Sequence, residues 1–369
     1  MSDDIDQLFE LTRIIVLVIS KHVYDLSHTN TTCKTVACAC TADLLRNLAS
    51  APLSEDTVSL IILALTALVD SAEVFPAVIK GDLHACVLHV FSTILSTEAC
   101  QDAVVPQTLP IFKRFVTSLA KNPQHETVTQ LRNALSRFLV ILKNAQRRET
   151  ETALSCEKNT LFACTILLTS VAKILPTSSD PLLTRFVDAL NDCLGNRMTT
   201  KVAARLCHSL LLLPTLSSED LAGPTESELS ALLLPRLITF LAKTSDVEST
   251  DEARPIVAQA LASFALALPE KQRAAAFGIV VPTLLQCASE EGKGVWKETA
   301  TRLVEMAGRE SVIFRSLMSK VSAEQRDFVE EIIRAGGVGP GTGGEENAGP
   351  GNMQTGLKEP SIALRMDFS

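Results

Sequence analysis

Aromatic residues, histidine and glycine are scarce through most of this 369-residue chain. There is one Trp (Trp296), one Tyr (Tyr24) and six histidines, and aromatics make up 4% of the sequence against 46% for all hydrophobic residues. A core so poor in rings and so rich in Leu, Val, Ile and Ala suits packed amphipathic helices. Only seven of the 16 glycines precede residue 336. The first 335 residues therefore contain few helix-breaking positions.

An excess of positive charge is also missing. The chain has 34 Lys and Arg against 42 Asp and Glu, a formal net charge of -8. Nucleic-acid binding needs clustered basic side chains that neutralise phosphates, so the composition does not favour it. Small basic clusters occur at Lys113-Arg114 and at Lys143, Arg147 and Arg148. They either line an inner concave face that receives an acidic partner or are solvated residues near helix ends.

Apolar runs long enough to cross a bilayer are absent from the sequence. The longest, Ile14 to Ile19 and Leu60 to Val69, are bracketed by charged residues and fall below the roughly 20 residues that a spanning helix needs. The N-terminus lacks the basic start and cleavage site of a secretion signal. The ten cysteines are scattered through apolar stretches. We therefore predict reduced, buried cysteines in a cytosolic protein that touches membranes only peripherally.

Sequence signatures of catalysis and of metal binding are lacking as well. The first 335 residues contain no glycine-rich phosphate loop and no Gly-x-Ser-x-Gly elbow. Zinc-ligand residue types are present, but the histidines and Cys86 fall in an apolar helical stretch, where paired ligand loops are not expected. These residues are His84, Cys86, His89, Cys33, Cys38 and Cys40. The sequence predicts no enzyme, no metal and no cofactor, with a helical enzyme as a distant alternative.

The spacing of the apolar residues predicts about fourteen consecutive helices. Helix starts are marked by Asp180-Pro181 and by capping-box spacing at Thr225 and at Ser322. An apolar-Pro motif recurs at Pro106, Pro235 and Pro282, followed each time by a leucine or phenylalanine stripe. Repeats of about 40 to 47 residues with a proline near a helix start are typical of HEAT arrays. Residues 1–335 are therefore predicted to form an all-α α-solenoid of HEAT-like helix pairs.

The first predicted helix contains the run Ile14 to Ile19, which is apolar around its whole circumference. An end repeat needs a polar outer face. We therefore predict either that the chain is the C-terminal piece of a longer solenoid or that the next two helices cover this one.

Nine glycines crowd into the last 34 residues. Residues 336–360 are predicted to be a disordered, flexible glycine-rich linker. Residues 361–369 form a short apolar terminal peptide with strand-like alternation. Its apolar positions, which are the candidate partner-binding residues, are Ile362, Leu364, Met366 and Phe368. The peptide either docks on a partner's sheet or groove, or is inert or folded back on the solenoid.

Two long segments and the chain end carry a family resemblance. Val74 to Leu95 and Cys100 to Phe115 resemble the C-terminal region of HEAT repeat-containing protein 5 and its fungal counterpart, a large clathrin-adaptor accessory protein. Phe314-Arg-Ser-Leu-Met-Ser, Gln325-Arg-Asp-Phe, Ile332-Ile-Arg-Ala-Gly and the closing Ile-Ala-Leu-Arg-Met-Asp-Phe are similar to the family's last helices and end.

The resemblance implies a non-catalytic cytoplasmic scaffold at the trans-Golgi network and endosomes. Its implied partners are clathrin adaptor subunits or their regulators, and members of the family are much longer than this chain. No functional residue is carried over from the family. The competing interpretation is a HEAT scaffold of another system, such as a nuclear transport receptor or a kinase or phosphatase subunit.

Overall fold

The computed structural model describes residue 43 and residues 55–74, 82–121, 125–171, 181–213, 224–242, 252–289 and 295–337. The apolar run Ile14 to Ile19, the first three cysteines and the terminal peptide lie outside these residues. So does the predicted linker beyond Gly337.

The described residues form thirteen α-helices and no strand, which confirms the all-α prediction. In chain order the helices are α1 (Glu55–Val74), α2 (Asp82–Ser96), α3 (Val104–Lys121), α4 (His125–Gln146), α5 (Glu151–Val171), α6 (Pro181–Gly195), α7 (Thr200–Leu211), α8 (Pro224–Ala242), α9 (Ala253–Ala267), α10 (Glu270–Ser289), α11 (Val295–Arg309), α12 (Ser311–Met318) and α13 (Ala323–Gly337). A short 3-10 helix, Glu98–Cys100, lies between α2 and α3.

The helices stack in two layers. Each packs against the helix two places further along the chain, so that α1, α3, α5, α7, α9, α11 and α13 follow one another in one layer. Helices α2, α4, α6, α8, α10 and α12 form the other, and neighbouring helices such as α4 and α5 or α10 and α11 join the layers. This two-layer stack of helix pairs is an α-solenoid, as predicted.

Side-chain contacts one repeat apart show the period directly. Gln146 Nε2 donates to Cys193 Sγ at 3.1 Å, 47 residues away. Lys201 Nζ lies 2.8 Å from Glu252 Oε2, 51 residues away, and Thr199 Oγ1 donates to Glu157 Oε1 at 3.1 Å across 42 residues. Two of these separations, 47 and 42 residues, fall within the repeat length of about 40 to 47 residues read from the sequence, and the third, 51 residues, is slightly longer.

The buried stripes run at helical spacing through both layers. On α6, Leu183, Phe186, Val187, Leu190 and Leu194 are each at most 2% exposed. Burying side chains of this size contributes about 1.5–3 kcal/mol apiece. Because each stripe faces the adjacent helices, the buried residues form one continuous core along the solenoid.

The recurring proline motif does not always begin a helix. Pro106 lies in the first turn of α3, as expected, but Pro235 and Pro282 lie inside α8 and α10, so the prediction was wrong there. A proline inside a helix removes one backbone hydrogen bond. Both prolines are exposed, whereas Leu229, Leu233 and the rest of the α8 stripe continue buried on either side. Burial of the apolar stripe therefore outweighs the loss of one backbone hydrogen bond at each proline.

Two of the three helix starts predicted from capping patterns are confirmed, and the one at Thr225 is wrong. Helix α6 begins at Pro181. Before α13, Gln325 N donates to Ser322 Oγ at 3.2 Å and Ser322 N donates to Gln325 Oε1 at 3.4 Å, the reciprocal bonds of a capping box. Helix α8 already begins at Pro224, so Thr225 lies in its first turn rather than before it.

Candidate functional site

A groove follows the line where α2 and α4 meet, and we call it the α2–α4 groove. It has two wider parts, with volumes of about 370 Å³ and about 160 Å³. The α4 residues that line them are Gln130, Asn133, Ala134, Arg137, Ile141, Asn144, Ala145 and Arg148. These residues recur three or four apart and therefore lie on one face of α4. The two parts are consequently in line along the same helix.

The larger part is lined by polar side chains over small residues. Ala85 on α2 and Ala134 on α4 leave space between the helices, while His89, Asn133 and Arg137 stand exposed around it. Arg137 Nη1 lies 3.4 Å from His89 Nδ1. A guanidinium carries five N–H donors and no acceptor, so this end of the groove is rich in donors. Donor groups of this kind bind carboxylates.

The smaller part lies at the C-terminal ends of the same two helices. Ser96, Asn144 and Arg148 line it together with Glu98, which follows α2. Arg148 Nη1 donates to Glu98 Oε1 in an exposed ion pair. Such pairs contribute about 0.2–1 kcal/mol to stability. Since Glu98 is paired with Arg148, Arg137 remains the uncompensated charge of the groove lining.

A row of phenylalanines holds α2, α3 and α4 together near the groove. The Phe91 and Phe112 ring centroids are 4.6 Å apart, and those of Phe112 and Phe138 are 5.7 Å apart in an edge-to-face arrangement. All three side chains are at most 1% exposed. Aromatic pairs of this geometry add about 0.5–1.5 kcal/mol each to the burial of the rings. The spacing of the helices that border the groove is thus set by a rigid core.

Buried hydrogen bonds fix the end of α2. Gln101 Nε2 donates to Leu95 O at 2.8 Å and to Thr97 O at 3.0 Å, which satisfies carbonyls that the helix end leaves without partners. Asn159 Nδ2 on α5 donates to Gln101 O at 2.9 Å and to Gln101 Oε1 at 3.1 Å. Cys156 Sγ also donates to Leu95 O at 3.3 Å. These bonds join α5 to the turn that carries Glu98.

The basic residues predicted to line one inner face lie in opposite layers. Lys113 and Arg114 are exposed on α3, in the odd-numbered layer. Lys143 is exposed on α4, and Arg147 and Arg148 follow at its end. Of these basic residues, only Arg148 lines the α2–α4 groove. Residues 82–148 as a whole hold eight Lys and Arg against four Asp and Glu, in a chain with an acidic total.

The described His and Cys side chains that could bind zinc do not lie around a common point. His84 is buried and packs edge-on against Phe115, with ring centroids 5.9 Å apart, while Cys86 is buried and His89 is exposed. Within the described ranges no three His, Cys, Asp or Glu side chains are grouped as metal ligands would be. Cys33, Cys38 and Cys40 lie outside these ranges.

All seven described cysteines are buried free thiols, so the prediction of reduced, buried cysteines is confirmed for them. Burial raises the pKa of Cys100 to about 11, and it also raises the pKa values of Cys164 and Cys207. A thiolate is the nucleophilic form of cysteine. These protonated side chains act as small apolar packing groups instead.

Sequence reasoning missed the groove. His89 was considered only as a possible metal ligand, and Arg137 was not singled out at all. The polar stripe Gln130, Asn133, Arg137 at helical spacing is visible in the sequence, but a polar stripe of this kind ordinarily marks a solvated face. The predicted binding residues of the terminal peptide lie outside the described residues. None of the helices in the described part is sufficiently long and apolar to span a bilayer.

Comparison with known proteins supports the resemblance noted in the sequence. Residues 179–346 match the family described as LAA1-like, C-terminal TPR repeats. No curated protein and no solved structure gives a significant match. The matched residues include α6 to α13 and exclude the α2–α4 groove. TPR repeats, like the HEAT-like pairs predicted from the sequence, are two-helix units that stack side by side. Residues 179–346 of this chain are therefore similar to the LAA1-like C-terminal repeats, in agreement with the resemblance noted in the sequence.

Proposed function

We propose that this protein is a non-catalytic scaffold accessory to a clathrin adaptor complex, acting in vesicle transport between the trans-Golgi network and endosomes. The observation that carries the proposal is the family match over residues 179–346. The protein works from the cytoplasm and reaches membranes peripherally, through adaptor subunits or their regulators.

The described architecture suits binding better than catalysis. A solenoid presents one long surface from each layer of helices, on which a partner can lie across several repeats. Its buried polar groups serve to join repeats: Thr199 Oγ1 donates to Glu157 Oε1 and, at 3.1 Å, Thr199 Oγ1 also contacts Cys193 O. Neither the groove nor these contacts set a nucleophile beside a base, the arrangement that nucleophilic catalysis requires.

We further propose that residues 361–369 are a docking peptide for a partner of this scaffold. Ile362, Leu364, Met366 and Phe368 alternate with less apolar residues, as in a strand added to a sheet edge. Residues 338–360 would serve as the tether that joins this peptide to α13. A second contact on a tether raises the overall affinity by making the second binding step intramolecular.

Affinity capture from cell extract tests both proposals. The full chain, a truncation after Gly337, and a Leu364→Asp/Phe368→Asp variant serve as baits, with Asn352→Asp/Gln354→Asp as the charge-matched control. We expect mass spectrometry to find clathrin adaptor subunits on the full chain and on the control. Their loss from both the truncation and the tail variant would place the contact in residues 361–369.

Capture of importins, nucleoporins, or kinase or phosphatase subunits in place of adaptor subunits would contradict the trafficking function. Equal adaptor recovery on the full chain and on the tail variant would contradict the docking role of the terminal peptide alone. The two proposals can therefore fail separately.

A further inference from the structure

We propose that the α2–α4 groove binds an extended acidic segment of a partner protein. This inference concerns helices outside the family match and holds whichever partner the scaffold serves. It depends on three features of the groove: its length, its charge and its rigid border.

The length of the groove suits a short extended peptide. Its α4 lining runs from Gln130 to Arg148, which corresponds to about 27 Å at 1.5 Å per helical residue. An extended chain covers this distance with roughly eight residues at about 3.3 Å each. The lining includes Ala85 and Ala134, whose small side chains allow a backbone to approach, and the exposed amide side chain of Asn133 can bond to it.

The charge of the groove selects an acidic occupant. Arg137 and Arg148 lie in the lining, and the single lining carboxylate, Glu98, is paired with Arg148. Arg137 contacts His89, which carries no negative charge to neutralise it. A carboxylate therefore gains a charged donor here without having to displace an existing ion pair.

The border of the groove is already ordered before any partner binds. The Phe91–Phe112–Phe138 row sets the helices apart, and the Gln101–Asn159 bonds hold the turn after α2. Binding to a preformed surface avoids the entropy cost of ordering it. The occupant alone must become ordered.

Nucleic acid, the other polyanion, fits the groove less well. The chain as a whole is acidic, and no Phe, Tyr or Trp side chain lines either part of the groove to form a stacking platform for bases. An acidic peptide needs only carboxylate donors and a matching length.

The test is fluorescence anisotropy with the full chain and a labelled decapeptide of alternating Glu and Ser, at low and at physiological salt. The test variant is Arg137→Glu/Arg148→Glu, which reverses both arginines of the groove lining. The control variant is Lys113→Glu/Lys121→Glu, which changes the net charge equally but alters exposed residues of α3 in the other layer. Circular dichroism verifies that both variants remain folded.

We expect the wild type and the control variant to bind the peptide, and the groove variant to bind about tenfold more weakly, as the loss of two charge contacts would produce. Binding should weaken with salt, because exposed charges are screened. Equal loss in both double variants would overturn the proposal, since it would indicate a diffuse basic field. No binding by the wild type would overturn it too.

Two further outcomes would assign the groove to another occupant. Tighter binding of a single-stranded RNA decamer than of the glutamate peptide would overturn the proposal in favour of nucleic acid. Peptide binding that appears only after residues 338–369 are removed would overturn it in favour of this chain's own C-terminal segment, which contains Glu345 and Glu346.

Discussion

The helices around the groove and the helices of the family match use charge in opposite ways. Residues 82–148 carry eight Lys and Arg against four Asp and Glu, whereas residues 179–346 carry 17 against 23. In the matched region arginines join helices: Arg236 pairs with Asp188, and the half-buried Arg273 pairs with Glu310. Around the groove, Arg137 contacts a histidine and Lys143 is exposed. The matched region thus uses arginines to join helices, whereas Arg137 and Lys143 near the groove are exposed.

The two regions nevertheless have the same kind of buried apolar core. A cavity in that core should lower the stability of the protein more than any other change considered. Phe112 is fully buried at the centre of the aromatic row. We expect Phe112→Ala to destabilise the structure by about 3–5 kcal/mol, because a large cavity replaces the ring. Hydrogen exchange measured by mass spectrometry should show faster exchange in α2, α3 and α4. Contacts in a solenoid are made between neighbours, so α11 and α13 should keep their protection.

Val140→Ala on α4 is the control for this change, because Val140 is 49% exposed. It should alter stability by less than about 0.5 kcal/mol. Uniform loss of protection from α2 to α13 in Phe112→Ala would show that the solenoid unfolds as one unit, which would contradict the separation of the two regions.

The stability contributed by one ion pair from each region tests this difference in the use of charge. Arg273 is half-buried; besides Glu310 it donates from Nε and Nη2 to Leu268 O, at 3.1 and 2.9 Å, after the end of α9. We expect Arg273→Ala to cost about 1.5–3 kcal/mol in urea unfolding, since hydrogen bonds from a charged group at a helix end are lost. Arg148→Ala, which breaks the exposed pair with Glu98, should cost about 0.2–1 kcal/mol. Equal costs would remove the distinction between internal and surface charge.

Removal of the N-cap of α13 should lower stability by a smaller amount. Ser322→Ala removes the side-chain acceptor for Gln325 N and should destabilise α13 by about 1 kcal/mol. Faster hydrogen exchange in the first turn of α13, with α12 unchanged, is the expected readout. Ser319→Ala, one turn earlier at an exposed position after α12, is the matched control. If both variants behave alike, the capping box does not contribute measurably.

The smallest expected effect on stability comes from His208, and it appears only at acidic pH. Burial, and secondarily the Arg302 guanidinium, lower the pKa of His208 below its usual range. Its folded-state pKa is therefore below its unfolded-state pKa, so the unfolded chain binds the proton more readily. Stability from this site is present in full above the unfolded pKa and is lost as pH falls through it towards the folded pKa.

Thermal unfolding of wild type and His208→Gln at neutral pH and near pH 5 measures this effect. The wild type should lose more stability on acidification than the variant, since Gln does not titrate. An identical loss in both proteins would indicate that other groups control the pH dependence. His89→Gln, which changes an exposed histidine, is the control.

Much of the fold could be predicted because its determinants are local. Ser322 and Gln325 form the capping box that their spacing indicates, Pro181 begins α6, and the leucine stripes are buried as their periodicity requires. The positions of Pro235 and Pro282 were predicted wrongly for a non-local reason. Their helices continue because neighbouring helices bury the stripes on both sides of each proline.

The sequence by itself determined the all-α class, the repeat length and the resemblance to a scaffold family, since helical period and cap chemistry are written in adjacent residues. Only the tertiary structure decided that Lys113 and Lys143 lie in different layers. The same holds for the placement of His89 against Arg137, 48 residues apart, along one groove. The reason is physical: a groove is the space between two helices, and its width and charge depend on packing at neighbours one repeat away, which no local pattern records.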